Sequence, residues 1–122
     1  MAIINGYNLV PGADLSGIDL SGYDLSGLDL TDVNLSGANL TGTVLSGMDL
    51  RSTNLSDANL SRANLSGTSL THSNLSNAIL VEANLTGTDL EYSNLSGSVL
   101  IGNDLTNARL FHANLSNADL TD

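Results

Sequence analysis

Leucine stands at every fifth position from Leu15 to Leu120, twenty-two times in succession. Neither regular element accommodates that period. On a helix, at about 100° per residue, successive leucines would point roughly 140° apart and smear around the cylinder. On a straight strand an odd spacing throws neighbouring leucines onto opposite faces. All of them reach one core only if the chain turns a corner between each leucine and the next. Such corners close into a coil, and stacked coils make a solenoid.

The residues around each leucine form columns of their own. Two places before it the residue is usually small, as at Ala38, Ala58, Ala78 and Ala118. The residue just before is mostly Asp or Asn (Asp14, Asn39, Asn94), the one after is mostly Ser or Thr, and the next is often Gly (Gly17, Gly67, Gly97). Leucine and the small residue share a parity and face inward. The polar pair then faces water, and glycine supplies the turn.

This A-(D/N)-L-(S/T)-G pattern resembles the pentapeptide-repeat family over essentially the whole chain. The resemblance implies an all-β fold, a right-handed, four-sided parallel β-helix with four pentapeptides to the coil. Ala2-Ile3-Ile4-Asn5-Gly6 and Tyr7-Asn8-Leu9-Val10-Pro11 read as two more repeats, centred on Ile4 and Leu9, with Gly12 a single inserted residue. On that count 24 repeats make six coils, a rod about 29 Å tall at ~4.8 Å per coil. Residues 1–122 are then one domain with an irregular first coil at 1–12.

Composition limits the chemistry. There is no Cys, which removes disulfides and thiolate metal sites. No apolar run approaches the ~20 residues of a membrane span, and the N-terminus lacks the basic region of a signal peptide, so a cytoplasmic protein without membrane contact is expected. The net charge is −10, and the three basic residues are Arg51, Arg62 and Arg109. Direct nucleic-acid binding is not expected from so few cations. The two histidines, His72 and His112, share a column two coils apart, too far to share a metal ion. No nucleophile motif, P-loop or dinucleotide fingerprint is present. The expectation is a non-enzyme with no cofactor and no metal.

Every fourth repeat falls on the same side of the coil, which sorts the exceptions. The side of Leu15, Leu35, Leu55, Leu75, Leu95 and Leu115 repeats Asn and Ser and predicts amide and hydroxyl ladders along the rod. The side of Leu30, Leu50, Leu70, Leu90 and Leu110 collects Arg51, His72, Glu91, Tyr92, Arg109, Phe111 and His112. That composition suits a protein interface, and equally ordinary surface variation. The side of Leu20 to Leu120 carries Ile79, Val81, Val99 and Ile101 where polar residues are usual, an outward apolar patch or a stretch of β-branched strand stabilisation.

The two ends differ. Asp14, Asp19, Asp24 and Asp29 stand in consecutive repeats and ring the rod near its N-terminal end, where local turn bonding explains them. Ile18, Tyr23, Leu28 and Val33 stand at the normally small position and, with Tyr7, fill out the N-terminal end. At the other end Leu105, Leu110, Leu115 and Leu120 form a last coil with no covering element. An uncovered edge invites association, so end-to-end homodimerisation through this coil is expected, with stacking into a longer rod as the second outcome. Three functions fit: a rigid scaffold for protein partners; an acidic DNA mimic of the kind that binds DNA gyrase, as the resemblance implies for some members; and a consensus-like or engineered repeat with no evolved ligand.

Overall fold

The computed structural model describes residues 2–121 and bears out the solenoid. Its bridges pair each residue in parallel with one twenty places on: Asp14 with Asn34, Asn34 with Asn54, and so on through Asn74 and Asn94 to Asn114. Twenty residues are four pentapeptides, so the coil has four sides and each leucine column runs up one of them. Leu35 N donates to Asn54 O at 2.9 Å, Gly37 N to Ser56 O at 2.8 Å, and Asn59 N to Ala38 O at 2.9 Å. From Leu20 to Leu95 every repeat leucine is at most 1 % exposed, and together they form one core.

The corners explain the period of five. From Leu15 to Leu95 each repeat leucine's carbonyl accepts the N–H three residues on, as from Ala58 to Leu55 at 3.1 Å and from Thr68 to Leu65 at 3.1 Å. The second residue after leucine takes a positive φ, +66° at Gly67 and +60° at Asp57, as a tight turn of this kind requires. The N–H just after leucine has no backbone acceptor in this scheme, and the Asp or Asn before leucine takes it. Asn54 Oδ1 accepts from Ser56 N at 3.1 Å and from Ser56 Oγ at 2.7 Å. This is a departure from the expected ladder: the amide turns into its own corner, because a corner N–H left unpaired is costly. Among the described residues, the side-chain bond between coils on this side runs from Asn34 Nδ2 to Asp14 Oδ1, at 3.1 Å.

In the first coil the same place is held by carboxylates. The Ser16, Ser26 and Thr31 hydroxyls, and then their N–H groups, hold Asp14, Asp24 and Asp29 below the ordinary aspartate value. For Asp19 the Ser21 N–H leads. A lowered folded pKa adds stability that is present above the unfolded value and is lost as pH falls through the folded one. Upper corners closed by Asn have no proton to gain. On acidification the amide resonances of Ser16, Ser21, Ser26 and Thr31 are therefore expected to titrate below the usual aspartate range. Those of Ser56, Ser76 and Ser96, capped by Asn54, Asn74 and Asn94, should stay in place. Uniform movement of both sets in an NMR pH series would refute this account.

The N-terminus corrects the expectation of two further repeats. Strands β1 (Ala2–Ile4) and β2 (Tyr7–Leu9) pair antiparallel, with Ile4 opposite Tyr7. Asn5 and Gly6 make the turn at φ +52° and +79°, the Asn-Gly hairpin whose twist suits its strands. Gly12 is not an insertion either. Its N–H donates to Thr31 O at 2.8 Å, as Gly17 does to Ser36 O, and Ala13 N closes a corner on Val10 O at 3.2 Å. Val10 thus occupies the leucine place in register. The repeat register therefore begins at Val10 and not at Ile4 and Leu9. The hairpin buries Leu9 and lays Ala2 and Ile4 against the core. Asn5 Nδ2 fastens it to Asp19 O at 2.7 Å. Ile18 and Val33 are buried as expected and Leu28 is half-buried, but Tyr23 stays exposed, its hydroxyl 3.5 Å from Asn5 Oδ1.

Hydroxyls also occupy the inward small position, buried among leucines. Thr43 Oγ1 donates to Leu40 O at 2.7 Å and Thr68 Oγ1 to Leu45 O at 2.7 Å. Thr53 Oγ1 is buried without a partner. Thr68→Val is expected to lose about 1 kcal/mol, whereas Thr53→Val should be neutral or gain about as much. Matched urea titrations that rank the two variants the other way would contradict this assignment.

Candidate interaction face

The irregular residues assemble on the side of Leu30 to Leu110. Residues 32, 52, 72, 92 and 112 form its corner column, and 51, 71, 91 and 111 the column beside it. His72, Tyr92 and His112 keep the positive φ of that corner, at 59°, 58° and 56°. For a tyrosine this backbone is an uncommon one, and ring stacking accompanies it. His72 and Tyr92 lie 5.0 Å apart between centroids with planes 3° from parallel, and Tyr92 and His112 lie 5.1 Å apart at 21°. Phe111 meets His112 edge-on at 4.0 Å and Tyr92 at 6.2 Å. One coil rise matches one ring-to-ring step, so consecutive coils stack their rings without further adjustment. Tyr92 lies between the two imidazoles. Among the described residues, no group of three His, Cys, Asp or Glu side chains is placed to hold a metal ion.

The charged residues of this side pair locally. Arg51 grips Asp49 through Nε at 2.8 Å and Nη2 at 2.6 Å. The side-chain bonds from Arg51, and then its N–H, pull Asp49 below the usual carboxylate range. Arg109 donates to Glu91 at 2.6 and 3.1 Å and lies 3.9 Å from Asp89. Arg51 and Asp49 are both exposed, and Arg109 is an exposed partner of half-buried carboxylates, settings in which an ion pair adds little to stability. Phe111 is 62 % exposed.

The structure also brings the four aliphatic residues together. Ile79 bridges Val99 directly, and Val81 and Ile101 lie in the same neighbouring coils. Ile79 is exposed and the other three are half-buried, so the patch is smaller than four outward side chains would make it. In the last described coil Leu105, Leu110 and Leu115 are half-buried and Leu120 is 52 % exposed. No helix of the described chain is long and apolar enough to cross a membrane.

Parallel coils of four leucine-centred pentapeptides define a class of protein, and the comparisons agree. The model of pentapeptide repeats matches residues 12–47, 44–80 and 83–122. The chain belongs to the pentapeptide-repeat family, and its coil is the right-handed, four-sided β-helix of that family. The crystal structure of a pentapeptide repeat protein, Rfr23, from the cyanobacterium Cyanothece 51142 is similar at 32 % identity and a TM-score of 0.86, over 92 % of this chain and 90 % of that one. A pentapeptide repeat protein of the Arabidopsis thaliana thylakoid lumen is similar at 32 % identity and a TM-score of 0.65, over 77 % of this chain and 70 % of that one. No curated protein matches the sequence.

Proposed function

We propose that the chain is a non-enzymatic scaffold that binds a protein partner through the side of Tyr92 and Phe111. The observation that carries this is the continuous aromatic group formed by His72, Tyr92, Phe111 and His112, exposed and flanked by an Arg109–Glu91 pair. Aromatic and arginine side chains of this kind anchor interfaces. That Arg51, Glu91 and Phe111 all depart from the repeat on one side weighs against a consensus chain with no ligand. The test compares affinity capture by the parent chain, by a Tyr92→Gly/Phe111→Ser double variant and by Asn74→Ser on the plain side. The double variant should weaken the captured partner by about a hundredfold or more, with Asn74→Ser unchanged. Equal capture by all three would remove the proposal.

The exposed Leu120 and half-buried Leu105, Leu110 and Leu115 favour a second contact, between two copies of this chain. Light scattering over a wide concentration range should give a mass near twice 12.6 kDa, reduced by Leu115→Lys. A concentration-independent monomer would end this reading. The DNA-mimic alternative has less support, because Asp14, Asp19, Asp24 and Asp29 circle the rod and form no stripe along it. No inhibition is expected in a gyrase supercoiling assay.

A further inference from the structure

The aromatic column is unfinished at one end. Below His72 the same corner column holds Ser52 and then Asp32. One face of the His72 ring is covered by Tyr92, and the other looks over a side chain too small to reach it. An open depression of about 450 Å³ lies there, lined by Asp32, Asp49, Arg51, Ser52 and His72 with two threonines, Thr31 and Thr71. The gap reflects side-chain size and not a different corner, since Ser52 has the same φ of 58° as Tyr92. Asp49 is occupied by Arg51, while Asp32 makes no ion pair among the described residues.

We propose that this gap receives the guanidinium of an arginine on a basic partner protein, stacked on the open face of His72 with its charge held above Asp32. The inference rests on reading this side as an interface and names what it recognises. His72 and Asp32 are two coils apart, roughly 9.6 Å at ~4.8 Å per coil. That leaves one tier, deep enough for a single flat group in contact with a ring at about 3.5–4 Å. A guanidinium is planar, stacks on aromatic faces and spreads its charge across that plane, whereas a lysine ammonium has no face to stack. A neutral ring would stack but leave Asp32 unanswered. An anion would meet a chain of net charge −10, which repels it and draws a basic partner in.

The test titrates the 122-residue chain with a capped Gly-Arg-Gly-Arg-Gly peptide and its lysine twin, followed by NMR. The arginine peptide should shift the His72 ring and the Ser52 and Thr71 amides, with the lysine twin at least about fivefold weaker. Asp32→Asn should weaken the arginine peptide about tenfold. Ser52→Tyr, which fills the tier on a corner that already suits Tyr92, should abolish binding with the other resonances unmoved. Equal affinity for the two peptides, shifts centred away from His72, or no shift at about 10 mM peptide would overturn the proposal. If partner capture still depends on Tyr92 and Phe111 while the peptide fails, the arginine tier is wrong and the interface stands. Loss of both results removes both.

Discussion

Leu65→Ala is expected to lower the unfolding free energy by about 2–5 kcal/mol. Leu65 lies mid-rod, fully buried, with Leu45 and Leu85 in the same column and equally buried. A cavity there has no easy way to close. Leu45 N is bonded to Asn64 O at 2.8 Å and Leu65 N to Asn84 O at 2.9 Å, so the coils on either side are held at a fixed rise. The lost contacts therefore stay lost. In the monomer, at protein concentrations too low for the end-to-end contact, Leu120→Ala removes the same atoms from a side chain that is 52 % exposed and should cost no more than about 0.5 kcal/mol. Urea unfolding of the two variants, with hydrogen exchange to show whether the rod opens as a whole or by coils, measures the contrast. Similar costs for both would mean that the leucine column is loosely packed.

A reciprocal pair follows from the inward small position. Ile18, Ala38, Ala58 and Ala78 share one column, all buried. Ile18 has no full coil beneath it but is still buried in the core that Ala2 and Ile4 of the hairpin pack against. Ala58 is sandwiched at one coil rise above and below. Ile18→Ala should therefore cost about 2–4 kcal/mol through a cavity, and Ala58→Ile about 1–3 kcal/mol through overpacking. The same two residue types are each wrong in the other's place. If Ala58→Ile proves neutral by urea titration, the rod is able to swell locally and the close-packed picture fails.

The leucine period was enough to derive the coil, because no helix or strand places every fifth residue in one core. Sorting by twenties placed His72, Tyr92 and His112 in one column. That their rings stack depends on side-chain torsions at a positive-φ corner, which no column count contains. The N-terminal misreading has a clear cause. Leu9 sits one residue out of register and resembles a repeat centre, while the Asn5-Gly6 pair is a strong hairpin signal that the five-residue period masks. Val10-Pro11-Gly12 is the true corner, with valine standing for leucine. Asn was rightly placed outside, but whether its amide turns along the rod or into its own corner depends on which N–H lacks a partner. That emerged only with the backbone. The buried hydroxyl bonds of Thr43 and Thr68 are not legible in the pattern, because a requirement for a small residue does not distinguish a methyl group from a hydroxyl that reaches a carbonyl.

The choice of Asp in the first coil and Asn above it also gives the rod an electrical direction. Residues 14–32 carry five carboxylates, Asp14, Asp19, Asp24, Asp29 and Asp32, and no base, so half of the net charge of −10 lies in one coil at one end. A molecule so charged is a long dipole as well as an anion. In the field of a basic surface it turns before it touches, leading with the hairpin end. The corner residues that close the first coil thus also bias the orientation of first encounter. That bias fades with added salt as the Debye length shrinks below the length of the rod.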